Sequence, residues 1–190
     1  MELLKDRILT EGKVISDSIL KIDSFLNHQL DPFFIKEIGD EFARLFKDQG
    51  VTKILTVEAS GIAVGLMTGI ALNVPVLFAK KKQASTMDHR YFSSTVYSFT
   101  KQESVEIFVS KNYLSAGDRV LIVDDFLARG EALRGLRKLV QLAGAQLVGC
   151  GVVVEKAFQD GGKELRAEGV RIEALARIKE IKNGKVEFVD

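Results

Sequence analysis

The sequence predicts an α/β fold in which a central, mostly parallel sheet is flanked by helices. Residues 51–80 comprise "VTKILTV", "EASG", "IAVGLMTGIAL" and "VPVLFAK", which indicate a strand, a turn, a helix and a second strand. This βαβ order requires a parallel strand pair. Residues 120–123 are continuously apolar and mostly branched, as in a strand buried on both faces, and apolar residues at helical spacing follow from Glu131.

The N-terminal segment predicts two amphipathic helices, over residues 3–22 and 32–48. Apolar residues recur there every three or four positions between charges. Asp31 and Pro32 form a suitable cap and first turn for the second helix. The segment "SFLNHQLD" between the helices predicts a loop.

The remaining segments extend the sheet. Residues 80–101 lose all periodicity, which indicates either a functional loop or a pair of short strands projecting from the body. "SVEIFVS" and "AQLVGCGVVVEKAF" predict further strands, and the C-terminal tail predicts two strands that turn at Asn183 and Gly184. With 190 residues, we expect a single domain.

Composition excludes several classes of function. Lys and Arg number 27 against 26 for Asp and Glu, so the net charge of +1 creates no general attraction to nucleic acid or to a membrane. No signal peptide or membrane-spanning run is visible, and we expect a cytoplasmic protein. Cys150 is the one cysteine, and His28 and His89 are the two histidines, so neither a disulfide nor a Cys or His metal cluster is predicted.

Two adjacent carboxylates, Asp124 and Asp125, follow the apolar run of residues 120–123 and are predicted to end that strand and face a loop. Ligands of open parallel sheets bind beyond the carboxyl ends of the strands. The turn and helix start in "FLARGEALRGL" offer free amides and a favourable dipole for a phosphate, while carboxylates accept hydrogen bonds from hydroxyls. The combination suits a sugar phosphate. The residues do not match a nucleotide P-loop or a dinucleotide fingerprint.

The stretch "VLIVDDFLARGEA" resembles the phosphoribosyl pyrophosphate signature of the type I phosphoribosyltransferase family. Together with "KIDSFLNHQLDP", "EASG" and "VEKAFQDGGKEL", it resembles in particular the members of bacterial purine salvage that use xanthine. The resemblance implies the type I phosphoribosyltransferase fold, with a helical N-terminal hood and a long mobile loop. We define the hood as about residues 1–35 plus the C-terminal strands, and the core as about residues 36–160. It also implies a homodimer, and magnesium that enters with the substrate instead of being held by metal ligands of the protein.

The resemblance implies transfer of 5-phosphoribosyl from phosphoribosyl pyrophosphate to xanthine, giving xanthosine 5'-monophosphate and pyrophosphate. The alternatives are an adenine or hypoxanthine-guanine phosphoribosyltransferase, and a non-catalytic regulator that senses phosphoribosyl pyrophosphate. The aromatic residues of the 82–101 segment are expected to cover the site as a lid, or to contact a neighbouring subunit. They are Tyr91, Phe92, Tyr97 and Phe99.

Site residues follow from the resemblance position by position. Asp124 and Asp125 are the catalytic pair on the ribose, and the residues that bind phosphoribosyl pyrophosphate are Ala128, Arg129, Gly130, Glu131 and Ala132. The pyrophosphate site comprises Ala59, Ser60, Gly61 and Lys81, and the xanthine site comprises Leu20, Asn27, Lys156 and Phe158.

Residue chemistry supports part of this assignment. The small residues of the "EASG" turn let backbone amides approach an anion. Lys156 follows an apolar strand, at the same sheet end as the aspartates. Its ammonium suits the O6 acceptor of an oxopurine better than the amino group of adenine. Phe158 offers a ring for stacking.

The phosphate loop departs from the pattern of the family. The usual loop continues with Thr, Gly, a small residue and Thr or Ser, whereas Arg129, Gly130, Glu131 and Ala132 occur here, so two hydroxyl donors are missing. The position of the proposed base in hypoxanthine-guanine enzymes is Ala128. No general base is therefore predicted.

Overall fold

The N-terminal segment folds as a helix followed by a hairpin. The computed structural model describes residues 1–82, 90–98 and 103–189. Helix α1 spans Glu2–Glu11, and the antiparallel strands β1 and β2 span Lys13–Ser16 and Ile19–Lys21. The prediction of a helix over residues 3–22 is therefore wrong beyond Glu11.

Gly12 ends the first helix and lets the hairpin fold back against it. Its backbone is extended, with ψ at 139°, while its N–H still donates to the carbonyl oxygen of Ile8 at 3.0 Å. A Cβ at this position would lie 2.3 Å from that oxygen and 3.2 Å from Leu20 Cδ1. Beyond it, Val14 and Ile15 are β-branched and favour a strand. The helical spacing of the apolar residues concealed this break.

Helix α2 (Pro32–Phe46) begins at the predicted cap. Asp31 Oδ1 accepts a hydrogen bond from Phe34 N at 3.1 Å, and its Oδ2 accepts one from Arg7 Nη1 at 2.7 Å. Pro32 occupies the first helical position, where no intrahelical N–H is needed. The helix predicted over 32–48 is confirmed, and its last turn continues as a short 3₁₀ segment.

The connection before α2 is more regular than the predicted loop. Residues Asp23–Asn27 form a π-helical turn that buries Phe25 and Leu26 completely. Phe25 meets the ring of Phe34 edge to face at 5.4 Å between centroids. This packing fixes the position of Asn27 at the end of the turn.

The central sheet is mostly parallel, as the sequence predicts. The elements that follow α2 are β3 (Lys53–Val57), α3 (Gly61–Leu72), β4 (Val76–Ala79), β5 (Tyr91–Ser98), β6 (Glu103–Ser110), β7 (Arg119–Leu127), α4 (Glu131–Leu142), β8 (Gln146–Lys156), α5 (Gly161–Ala167), β9 (Ile172–Lys182) and β10 (Lys185–Phe188). Within the described ranges, the order across the sheet is β10-β9-β8-β7-β3-β4. The pairs between β4 and β9 are parallel, and β10 is antiparallel to β9. Helix α5 was not predicted.

Both faces of the sheet are covered by apolar side chains, as the continuous apolar run of β7 predicts. Leu121 and Val123 belong to a core cluster shared with α1, α2 and α3. Val120 and Ile122 point the other way, into a cluster shared with α4. In the part of the chain that the structure describes, no helix combines the length and the apolar character needed to span a membrane.

Part of the segment without periodicity forms β5, which pairs with the separately predicted strand β6 instead of forming a pair of strands within the segment. Strands β5 and β6 pair in antiparallel register from Tyr91 opposite Ser110 to Ser98 opposite Glu103. Val96 of β5 packs so closely on α4 that a Cβ at Gly135 would lie 2.3 Å from its Cγ2 atom. Residues 83–89 and 99–102, including the predicted lid residue Phe99, lie outside the described residues.

Candidate active site

The sheet opens at the carboxyl end of β7. The pairing of β7 with β3 ends where Ile122 faces Leu55, but its pairing with β8 continues until Leu127 faces Glu155. Asp124 and Asp125 therefore lie within a regular strand, and the prediction that they end it is wrong. They follow the point at which the pairing of β7 with β3 ends, at the carboxyl ends of the strands, where open α/β sheets bind ligands.

Asp124 is a buried carboxyl, with a relative exposure of 4 %. Its Oδ1 accepts a hydrogen bond from Asp125 N at 3.1 Å. A Cβ at Gly61 would lie 3.0 Å from this oxygen and 2.1 Å from the buried Thr56 Oγ1, so glycine is required between them. Burial, followed by the negative charge of Asp125, raises the pKa of Asp124 well above its usual range.

Asp125 is half-buried and contacts the N-terminal segment. Its Oδ1 accepts a hydrogen bond from Phe126 N at 2.9 Å, and its Oδ2 accepts one from Asn27 Nδ2 at 2.5 Å. The other amide atom, Asn27 Oδ1, is buried and has no hydrogen-bond partner among the described residues. The structure thus brings together a residue predicted for the base and a residue predicted for the ribose.

The predicted phosphate loop leads directly into α4. Gly130 adopts φ +84°, a left-handed conformation that favours glycine, and the helix starts at Glu131. The first intrahelical bond runs from Arg134 N to Gly130 O at 2.9 Å, so the amides of the first turn have no carbonyl earlier in the helix. Arg134 Nη1 also donates to Arg129 O at 2.8 Å. Free amides at the start of a helix are groups that can bind an anion.

The "EASG" turn connects β3 to α3 at the same end of the sheet. The Glu58–Ala59 peptide is cis, and Ser60 is the N-cap of α3 without a side-chain capping bond. Glu58 Oε1 accepts a hydrogen bond from Lys81 N at 2.5 Å, which ties the turn to the segment after β4. This bond places Lys81 beside Glu58, the first residue of the turn.

Lys156, one of the four residues predicted for the base, is held by a hydrogen bond and lies close to an aromatic ring. Its Nζ donates to Ser18 O at 2.8 Å and lies 5.4 Å from the centroid of the Phe126 ring. Burial lowers the pKa of Lys156, and the charge of Asp125 opposes this shift. Phe158 is 38 % exposed, whereas Leu20 is 6 % exposed and packs in the core.

A cleft of about 1070 Å³ lies at this end of the sheet. The predicted residues that line it are Lys81, Lys156 and residues 128–132. Ser18 and Ile19 of the β1–β2 hairpin and Val96 and Tyr97 of β5 also line it.

The phosphoribosyl transferase domain model matches residues 29–173 of the chain. The chain belongs to the phosphoribosyl transferase family. A xanthine phosphoribosyltransferase from Moorella thermoacetica is 57% identical over 190 residues, which is 100% of this chain and 97% of the relative. A xanthine phosphoribosyltransferase from Bacillus cereus is 53% identical over 189 residues, covering 100% of this chain and 96% of the relative.

Solved structures of the family share its fold. The adenine phosphoribosyltransferase from Rhodothermus marinus superposes with a TM-score of 0.75 at 22% identity, covering 94% of this chain and 100% of that one. The enzyme from Giardia lamblia, in complex with 9-deazaadenine, gives 0.76 at 22% identity, covering 92% and 97%. These matches confirm the type I phosphoribosyltransferase fold.

Sequence reasoning missed two contributors to the site of this phosphoribosyl transferase domain. The β1–β2 hairpin supplies the Ser18 carbonyl to Lys156, and its signal was Gly12 followed by β-branched residues. Glu155 was not predicted as a site residue, although it is buried and paired with Arg166 and Arg177. Both partners of Glu155 are distant enough in sequence that no local pattern marks the pairing.

Replacing Asp124 with asparagine is expected to stabilise the protein at neutral pH. Because the folded-state pKa of Asp124 is raised, the folded chain holds this proton more tightly than the unfolded chain. Stability therefore falls as the pH rises from the unfolded to the folded pKa, and Asp124→Asn removes this loss. Urea unfolding at about pH 4 and about pH 8 measures the free energy of unfolding of the variant and of the parent protein. The stabilisation of Asp124→Asn relative to the parent should be larger at the higher pH.

Asp118→Asn serves as the control of opposite sign. Burial raises the pKa of Asp118, but the hydrogen bond from Lys53 and the other contacts of this carboxylate outweigh it and the net shift is downward. Stability from this group is present above the unfolded pKa and is lost as the pH falls, so Asp118→Asn destabilises at the higher pH. An Asp124→Asn variant less stable than the parent at about pH 8 contradicts the interpretation of the buried carboxyl.

Proposed function

We propose that this protein transfers the 5-phosphoribosyl group from phosphoribosyl pyrophosphate to xanthine, giving xanthosine 5'-monophosphate and pyrophosphate in purine salvage. The observation that carries the proposal is that Lys156 and the phosphate loop line one cleft, in a chain matched over its full length by xanthine phosphoribosyltransferases. The adenine enzymes match at 22% identity, which supports the shared fold and not the choice of base.

The ribose 5-phosphate part of the substrate is assigned to β7 and the start of α4. Asp125 oxygens would accept hydrogen bonds from the ribose hydroxyls, in place of or beside the one from Asn27. Amides of residues 128–132 would donate to the 5-phosphate, and the helix dipole adds to their effect. Because Arg129 and Ala132 replace hydroxyl residues, backbone amides carry this contact.

The diphosphate is assigned to Ala59, Ser60, Gly61 and Lys81. Small side chains at the turn permit close approach of the backbone, and the positive end of α3 and the Lys81 ammonium oppose the negative charge.

Magnesium fits this site as an ion that the substrate carries. Within the described residues, no group of three or more His, Cys, Asp or Glu side chains is arranged to hold a metal ion. Magnesium keeps several waters and prefers substrate phosphates to a cage of protein ligands. Asp125, a half-buried carboxylate, would accept hydrogen bonds from that water shell. A magnesium ion bound with the substrate would supply positive charge against the diphosphate.

Departure of the diphosphate leaves positive charge on the ribose ring, as in an oxocarbenium ion. The carboxylate of Asp125 is held by Phe126 N and Asn27 before substrate binds, so it needs little reorganisation to face that charge. Val96 and Tyr97 on one wall and Ile19 on another would reduce the access of water to the cation.

Base recognition is assigned to the junction of β8 with the β1–β2 hairpin. Lys156 can donate to O6 of an oxopurine, and Asn27 can donate and accept at a second polar edge. Phe158 is exposed enough to stack on a purine, whereas Leu20 would act through the packing of the hairpin. An ammonium cannot accept from the amino group of adenine, and this disfavours adenine.

Purine consumption in the presence of phosphoribosyl pyrophosphate and magnesium tests the proposal. We expect xanthine to be used best, guanine less well and adenine hardly at all. Lys156→Ala should reduce use of xanthine by roughly tenfold or more, because a charge-assisted hydrogen bond is lost. Its effect on binding of phosphoribosyl pyrophosphate should be much smaller.

The control is Lys163→Ala, an exposed lysine of α5, which should match the parent protein. Preferential turnover of adenine would refute the assignment of the base. So would a Lys156→Ala variant with the selectivity of the parent.

We further propose that the protein is a homodimer. Large apolar side chains are exposed on two neighbouring helices: Phe33 on α2, which is 82 % exposed, and Leu66 and Ile70 on α3. Exposed apolar side chains on packed helices favour an interface, and two-fold dimers are the commonest assembly. Light scattering at micromolar concentrations should give twice the chain mass, and a monomeric mass throughout that range would count against the dimer.

A further inference from the structure

A buried ion cluster lies at the end of β8. Glu155 is 2 % exposed, and its Oε1 accepts a hydrogen bond from Arg166 Nη1 at 2.6 Å. Its Oε2 accepts bonds from Arg166 Nη2 at 2.8 Å and Arg177 Nε at 2.9 Å. Burial raises the pKa of this carboxyl, but the two guanidinium groups outweigh burial and the net shift is downward. The carboxylate is therefore charged and held from two sides.

This cluster fixes the start of helix α5. A Cβ at Gly162 would lie 2.1 Å from Glu155 Oε1 and 2.9 Å from Arg166 Nη1, so the helix backbone rests on the cluster. Arg166 belongs to the same helix and donates two bonds to Glu155. The first turn and a later residue of α5 thus meet the same carboxylate.

Helix α5 in turn rests on the phosphate loop. A Cβ at Gly161 would lie 2.3 Å from the Arg129 carbonyl carbon and 2.5 Å from Gly130 N. Arg134 of α4 joins the two parts again, because it donates to Arg129 O at 2.8 Å and to Glu164 Oε2 at 2.6 Å. The backbone that precedes the α4 amides is therefore held between α4 and α5.

Strand register connects the cluster to both halves of the site. Glu155 faces Leu127, the last residue before the phosphate loop, and it directly precedes Lys156. A single buried carboxylate thus lies between the loop assigned to the 5-phosphate and the segment assigned to the base.

We propose that Glu155 is a positioning residue that, through Arg166, Gly161 and Gly162, sets the placement of the phosphate loop against the base-binding segment. The inference rests on the proposed function, which assigns residues 128–132 to the 5-phosphate. No atom of Glu155 or Gly161 needs to touch the substrate. A small displacement of the phosphate loop should still lower the affinity for phosphoribosyl pyrophosphate, because the loop amides would no longer lie at hydrogen-bond distance from the 5-phosphate.

Calorimetric binding of phosphoribosyl pyrophosphate with magnesium tests this role without turnover. Gly161→Ala places a methyl group against the loop backbone and leaves the ion cluster intact. It should weaken binding by about tenfold to a hundredfold, as expected for small misplacements of binding groups. Glu155→Gln should weaken binding in the same direction and also lower the melting temperature.

Gly117→Ala is the matched control, because a Cβ there meets nothing within 4 Å. It should bind like the parent protein. A merely structural role of α5 would lower the melting temperature of Gly161→Ala but leave its affinity, measured well below that temperature, equal to that of Gly117→Ala. That result would overturn the positioning role, whether or not Glu155→Gln folds.

Turnover of xanthine by the parent protein separates the two proposals. A parent protein that binds phosphoribosyl pyrophosphate but converts no purine would refute the proposed function, while the affinities of the variants still decide the positioning role. A parent protein that does not bind phosphoribosyl pyrophosphate would overturn both.

Discussion

The arrangement of the site depends on the unequal lengths over which β7 pairs with its two neighbours, β3 and β8. Strand β7 leaves β3 at Ile122 but remains paired with β8 as far as Leu127. Its two aspartates are therefore held by a regular ladder on one side and open on the other. The phosphate loop begins directly after this extension, and the base-binding segment begins at the end of its partner β8. One offset in strand pairing thus places three of the four regions that we propose to bind substrate.

The same offset places two adjacent carboxyl groups in or near the protein interior, where negative charge is unfavourable. Asp124 is buried beside a second carboxyl, so its charged form is disfavoured, and Asp125 is stabilised from outside the sheet by Asn27. Glu155 is also buried but has two guanidinium partners. Buried acidic residues without a cationic partner lower the stability of the fold, and such residues are typical of ligand-binding and catalytic sites. This contrast supports the positioning role proposed for Glu155 and the substrate-binding role proposed for the aspartates.

Regular, strongly patterned elements could be predicted from the sequence. The apolar run of β7, the βαβ unit before it and the turn at Asn183 and Gly184 all carry local signals, and the structure confirms them. The β1–β2 hairpin was missed because its apolar residues also fit a helical period, and α5 was missed because seven residues show too little periodicity.

Contacts within the site could not be predicted from the sequence because they join residues that are far apart in the chain. Asn27 and Asp125 are 98 positions apart, and their hydrogen bond depends on the packing of the π-helical turn before α2. The resemblance to the family named both residues, but the direct contact between them required the fold. The close approach of Gly161 to the phosphate loop likewise follows from the placement of α5.

The most direct test of this account is the turnover number of Asp125→Asn with xanthine and phosphoribosyl pyrophosphate, compared with Asp48→Asn, an exposed aspartate of the 3₁₀ turn after α2. Loss of a charge-assisted interaction that strengthens in the transition state should cost about 1.5 to 3 kcal/mol, or roughly tenfold to a hundredfold in rate. The folded structure should be retained in both variants. Full activity of Asp125→Asn would contradict the assignment of this carboxylate to the ribose.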